Sequence, residues 1–159
     1  MKLLLPRAVR ESIEAHAASA YPEECCGAMV GEVPADFGSP EDGLLIAHAR
    51  GLGNAWENGP RTNRYQVDAR EFLRVEKEFA DSSEAILGIY HSHPDAPAWP
   101  SPFDLDRAWP AYAYLILSVL KGKVCGARVW RLSADGRSFI EGEVKPVADE
   151  VPAQERRTR

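Results

Sequence analysis

The apolar run Ala85 to Tyr90 reads as a buried strand, and it leads straight into His91-Ser92-His93-Pro94. Side chains alternate along a strand, so both imidazoles face one way and Ser92 faces the other. Two nitrogens on one face can occupy two corners of a tetrahedral metal site. After a Pro-rich loop, Ser101-Pro102-Phe103-Asp104 reads as a helix start, with Ser at the cap, Pro first and Asp at the third position. The loop returns Asp104 toward the strand end, where its carboxylate can be the third ligand. Two His and one Asp leave the fourth zinc position open to water, the catalytic rather than the structural pattern. Bound zinc lowers the pKa of that water to about 7. Asp95, in the loop, and Asp106, on another face of the helix, are the alternative carboxylates.

The rest of the chain supplies elements of the α/β class. Val9, Ile13, Ala17 and Ala20 predict a helix over Arg7 to Ala20, ended by Tyr21-Pro22. Cys26 to Val30 and Leu44 to Ala49 predict strands. Between Gly51 and Asn63 lies a long Gly- and Asn-rich loop containing Trp56, and loops of that length are often functional. Asp68 with Glu71 opens a second helix through Phe79. Ala113 to Leu120, Val124 to Leu132 and Ser138 to Val144 predict three more strands, with Gly-containing turns between them. The order is α-β-β-α-β-α-β-β-β, a mixed β-sheet flanked by helices. Gly88 permits close backbone approach within its strand. The polar stretch from Pro146 to Arg159 reads as a flexible tail.

Composition narrows the function classes. The 159 residues suit one domain, and the net charge of −5 carries no Lys/Arg stripe, which disfavours nucleic acid as a partner. Leu3-Leu4-Leu5 is too short for a signal-peptide core, and Ala111 to Leu120 is too short to span a membrane. The three cysteines form no C-x-x-C pair, and a cytoplasmic, reducing location is expected. Adjacent Cys25 and Cys26 are read as small buried hydrophobes. His16 and His48 are read as surface or satisfied histidines.

The spacing His91-x-His93-x7-Ser101-x2-Asp104 resembles that of the JAMM (MPN-plus, Mov34/PAD-1) metalloprotease family. Tyr21-Pro22-Glu23-Glu24-Cys25-Cys26-Gly27 resembles the P-x-E-x-C-G block of its prokaryotic members. Arg64 to Asp68 and Gly88-Ile89-Tyr90 are similar too, so the likeness spans residues 7–132. It implies a cytidine-deaminase-like JAMM/MPN fold, with a single catalytic domain over 1–145 and a tail over 146–159. By the same resemblance His91, His93 and Asp104 bind one Zn²⁺ per chain. Glu24 is then the general base, with Glu23 as its solvated neighbour, and Ser101 donates a hydrogen bond to the oxyanion. The implied activity is that of a zinc-dependent peptidase or isopeptidase. Its substrate would be the C-terminal Gly-Gly tail of a ubiquitin-like or sulfur-carrier protein, with the Gly51–Asn63 loop facing it. The enzyme would be a monomer or a homodimer. A non-catalytic module that holds such a partner is the alternative. Other H-x-H hydrolases fit less well: Ala96 stands where a metallo-β-lactamase-like site needs a His, and no deaminase Glu or C-x-x-C is present.

Overall fold

In the computed structural model, which describes residues 1–39, 41 and 43–149, His91 and His93 lie on the long strand β5, Glu84–Pro94, inside a six-stranded sheet. Its antiparallel neighbour is β2 (Cys26–Glu32), which pairs outward with β4 (His48–Leu52). On the other side β5 runs parallel to β6 (Ala113–Leu120), followed by antiparallel β7 (Lys123–Leu132) and β8 (Phe139–Glu141). A parallel pair needs a crossover, whereas an antiparallel pair can close through a hairpin. The β5–β6 crossover carries helix α3 (Pro102–Arg107). The connection that makes the histidine strand central therefore also brings Ser101 and Asp104 back over it.

Two helices cover the two faces of this sheet. The helix α1 spans Arg7–Ala20, as its periodicity predicts, and buries Ile13 and Ala17 against Met29, Leu87, Leu115 and Leu117. The second, α2 (Ala69–Phe79), begins at Asp68, whose side chain accepts from the backbone N–H groups of Arg70 and Glu71. It buries Phe72, Val75 and Phe79 against Val30, Ile86 and Ile89. Gly88 lies where the backbones crowd: a Cβ there would stand 2.3 Å from the Ala113 carbonyl oxygen. The expected mixed sheet flanked by helices is present.

A second, smaller sheet is absent from the sequence reading. Leu3-Leu4-Leu5 belongs to β1 (Lys2–Pro6), the middle strand between β3 (Gly43–Leu45) and β9 (Glu143–Val147), all parallel. The single strand predicted over Leu44–Ala49 is two strands in different sheets, divided at Ile46–Ala47. The one predicted over Ser138–Val144 divides likewise at Gly142, which packs against Met1. Pro146 and Val147, read as tail, pair with Leu5 and Pro6 in β9. The rest of the expected tail, from residue 150, lies outside the described residues. Among the described residues no helix is long and apolar enough to cross a membrane.

Candidate metal centre

Across the sheet, Cys26 of β2, His91 of β5 and Ile116 of β6 are register partners and share the α2 face, with His93 one alternation further along. Ser92 turns to the other face, where its Oγ accepts from the Cys25 N–H at 2.9 Å. Both histidines are buried, and Asp104 reaches them from the first turn of α3.

The ligand atoms converge. His91 Nε2 and His93 Nε2 stand 3.1 Å apart; Asp104 Oδ1 is 3.2 Å from the first and Oδ2 is 3.5 Å from the second. A tetrahedral ion with bonds of about 2.0–2.1 Å has ligand–ligand edges of about 3.3 Å. One nitrogen of each histidine and one carboxylate oxygen all lie within 4.8 Å of one another, close enough for the three side chains to share one ion. The His93 Nδ1 lies 3.0 Å from the Pro97 carbonyl, and that contact makes Nδ1 the protonated nitrogen and leaves Nε2 bare for a ligand role. Tyr65 stacks on His91, with ring centres 4.4 Å apart.

Asp104 closes a reciprocal cap. Its Oδ2 accepts from the Ser101 N–H at 2.6 Å and the Ser101 hydroxyl at 2.7 Å, while Ser101 Oγ accepts from the Asp104 N–H. Burial pushes the Asp104 carboxyl up, but hydrogen bonds from His91, His93 and Ser101 outweigh it and hold it well below the usual carboxylate range. Burial lowers His91. For His93 the lowering by burial is overcome by Asp104 and the Glu24 charge, and its pKa is raised.

Glu24 is buried just before β2, whereas Glu23 is exposed. Burial pushes the Glu24 carboxyl up to about 8; the charge of His93 draws it down, that of Asp104 up and that of Arg64 down. It therefore sits within the field of the His/Asp cluster. The long loop fixes its backbone: the Glu24 N–H donates to the Arg61 carbonyl at 2.7 Å. Asn54 Nδ2 donates to the Glu24 and Arg64 carbonyls, each at 3.0 Å. Asp95 is instead an exposed turn residue that accepts from the Tyr21 hydroxyl and the Lys121 N–H. Asp106 is exposed on α3. Cys25 and Cys26 are buried on opposite faces of the sheet, and His16 meets the Tyr90 hydroxyl at 2.8 Å. Asn54 and Tyr65 escaped the sequence reading as site residues. Only Tyr65 carried a signal, its place in the Arg64–Asp68 block.

Residues 6–133 match the family model described as prokaryotic homologs of the JAB domain. The chain belongs to that family. It is 32% identical to a desampylase of Haloferax volcanii over 74% of this chain and 81% of that protein. Against a CysO-cysteine peptidase of Mycobacterium tuberculosis it is 32% identical over 65% of this chain and 63% of the relative. Among solved structures, a Desulfitobacterium hafniense protein superposes with a TM-score of 0.76 at 28% identity, covering 93% of this chain and 94% of that one. A Salinibacter ruber protein reaches 0.68 at 31% identity, covering 96% and 95%. The JAB domain is thus present over most of the chain, with a buried His91–His93–Asp104 cluster that could hold a metal.

Proposed function

We propose that the protein is a zinc-dependent peptidase or isopeptidase that hydrolyses the amide bond at the C-terminal Gly-Gly tail of a ubiquitin-like or sulfur-carrier protein. It is a hydrolase of the JAB family. The observation that carries this reading is the set of ligand distances of 3.1, 3.2 and 3.5 Å beside a buried glutamate. The relatives' named activities, desampylase and CysO-cysteine peptidase, supply the substrate class.

His91, His93 and Asp104 would hold the ion. Zinc supplies Lewis acidity at the scissile carbonyl and lowers the pKa of water at its open position. Glu24 takes a proton at its carboxylate and returns it to the leaving amine; burial raises its carboxyl to about 8 without an ion, and a dication held by the cluster would draw it back down. The Ser101 hydroxyl, which donates to Asp104 here, must rotate to meet the developing oxyanion. A thiol nucleophile is unnecessary: burial pushes Cys25 up to about 11 and Cys26 higher still, so neither is a thiolate at neutral pH.

The test is metal analysis of the purified protein, then incubation with a Gly-Gly-tailed carrier extended at its C-terminus, read by mass spectrometry. One zinc per chain and loss of the extension are expected. Binding of the carrier by zinc-loaded protein without any cleavage would replace this reading with the non-catalytic one.

A further inference from the structure

Three arginines lie on the segments that border the centre. Arg61 and Arg64 lie on the loop bonded to the Glu24 backbone, and Arg107 lies on α3. The Arg64 guanidinium is 4.7 Å from the centre of the Phe103 ring, and Arg107 is 4.5 Å from the same ring. Phe103 immediately precedes Asp104. Arg107 also lies 5.4 Å from the Trp56 ring. Among the described residues none of these three arginines has a carboxylate partner, although Arg7, Arg10, Arg50 and Arg128 elsewhere each have one.

Two cations sharing one ring repel each other, and an anion between them relieves that repulsion. Arg64 Nη1 donates to the Asn63 carbonyl and Arg61 Nε to the Trp56 carbonyl, but a guanidinium over a ring keeps its other in-plane N–H groups, whose fork matches a carboxylate. Position identifies which carboxylate. Glu24 is the group that hands a proton to the leaving nitrogen, and the Arg64 charge is close enough to act on Glu24. In an amino acid that leaves through its α-amine, the carboxylate is two bonds from that nitrogen. In an isopeptide the leaving nitrogen is followed by lysine methylenes, which give a guanidinium nothing to bind.

We propose that Arg64 and Arg107, with Arg61 beside them, receive the free α-carboxylate of a single amino acid released from beyond the Gly-Gly tail. The protein is then a carboxypeptidase-like trimming enzyme in preference to an isopeptidase. This rests on the hydrolase reading above. The reaction is a hydrolysis: water oxygen joins the glycine carbonyl carbon, the C–N bond breaks, and the amine leaves with the proton carried by Glu24.

Three substrates decide it: one carrier ending in Gly-Gly-Ala, the same carrier as its C-terminal amide, and the carrier joined by its Gly-Gly to a lysine side chain. The free acid should exceed both others by roughly 10- to 100-fold in kcat/KM, the worth of one or two charged hydrogen bonds. The Arg64→Met/Arg107→Met protein keeps apolar length over Phe103, and its acid-to-amide ratio should fall to near one. Equal rates on acid and amide, faster cleavage of the isopeptide, or an unchanged ratio in the variant would overturn the assignment. Calorimetry of Gly-Gly-Ala and its amide with zinc-loaded Glu24→Gln protein separates the two readings. If no carrier is cut yet the acid binds about tenfold tighter, the hydrolase reading fails and the carboxylate site stands; equal binding removes the site.

Discussion

Replacing Glu24 by Gln should stabilise the metal-free protein, and only above acidic pH. In the folded chain this carboxyl titrates near 8, against an ordinary 4.5. An acid whose folded pKa is raised favours the folded state while protonated and loses stability as pH climbs from the unfolded toward the folded value. Wild type and variant should therefore match at pH 4.5 and diverge up to pH 8. At pH 8 linkage sets a ceiling of about 4 kcal/mol on the difference. Desolvating the glutamine amide offsets part of this, so about 2 kcal/mol is expected, or about 4–8 °C in Tm for a chain of this size. The assay is urea denaturation of both proteins in excess chelator, at intervals from pH 5 to 9. A difference that is flat across this range, or a wild type more stable than the variant at pH 8, would refute burial as the cause of the shift. The positive outcome would show that the chain carries a buried acid at a stability penalty, as expected for a catalytic group.

Other substitutions probe the rest of the site and the core. His91→Ala and Asp104→Ala should each reduce zinc from one per chain to near none by mass spectrometry of metal content; full zinc in either would remove that side chain from the ligand set. Asp95→Ala should keep full zinc and turnover, because its bonds to Tyr21 and Lys121 hold only a turn; loss of metal would revive it as a ligand. Ser101→Ala should lower kcat by about 10²–10³-fold if the hydroxyl reaches the oxyanion, and remove about 1 kcal/mol of stability with the lost cap. A stability loss with unchanged kcat would restrict Ser101 to capping. Gly88→Ala should destabilise by about 1–3 kcal/mol or more in denaturant melts, since its Cβ would meet the Ala113 backbone and the Met29 methyl; a neutral result would mean β5 and β6 can separate freely there.

The centre was legible because its geometry is local. A two-residue period puts His91 and His93 on one face, and a Ser-Pro-x-Asp helix start fixes Asp104 eleven residues on. The bounds of α1 follow from its helical period, and those of β6 from an apolar run closed by a Lys-Gly-Lys turn. What escaped depends on distant pairing: Leu3-Leu4-Leu5 joins strands near residues 44 and 144, and no local pattern records that register. The chain changes sheets at Ile46–Ala47 and at Gly142 within stretches that look continuously strand-like, so the local pattern shows each as a single strand. Arg64 opens a block that resembles the family and Arg107 is an ordinary cation in sequence; only the fold places the two on one ring.

The Asn54 amide grips the Glu24 and Arg64 carbonyls at once, which ties the proposed acid–base residue to the segment expected to touch substrate. Anyone transplanting that segment from a relative to alter selectivity would also be repositioning Glu24. Chimeras that bring their own asparagine and its neighbours as one cassette should keep turning over, while those that exchange only the tip should show selectivity and rate drifting together.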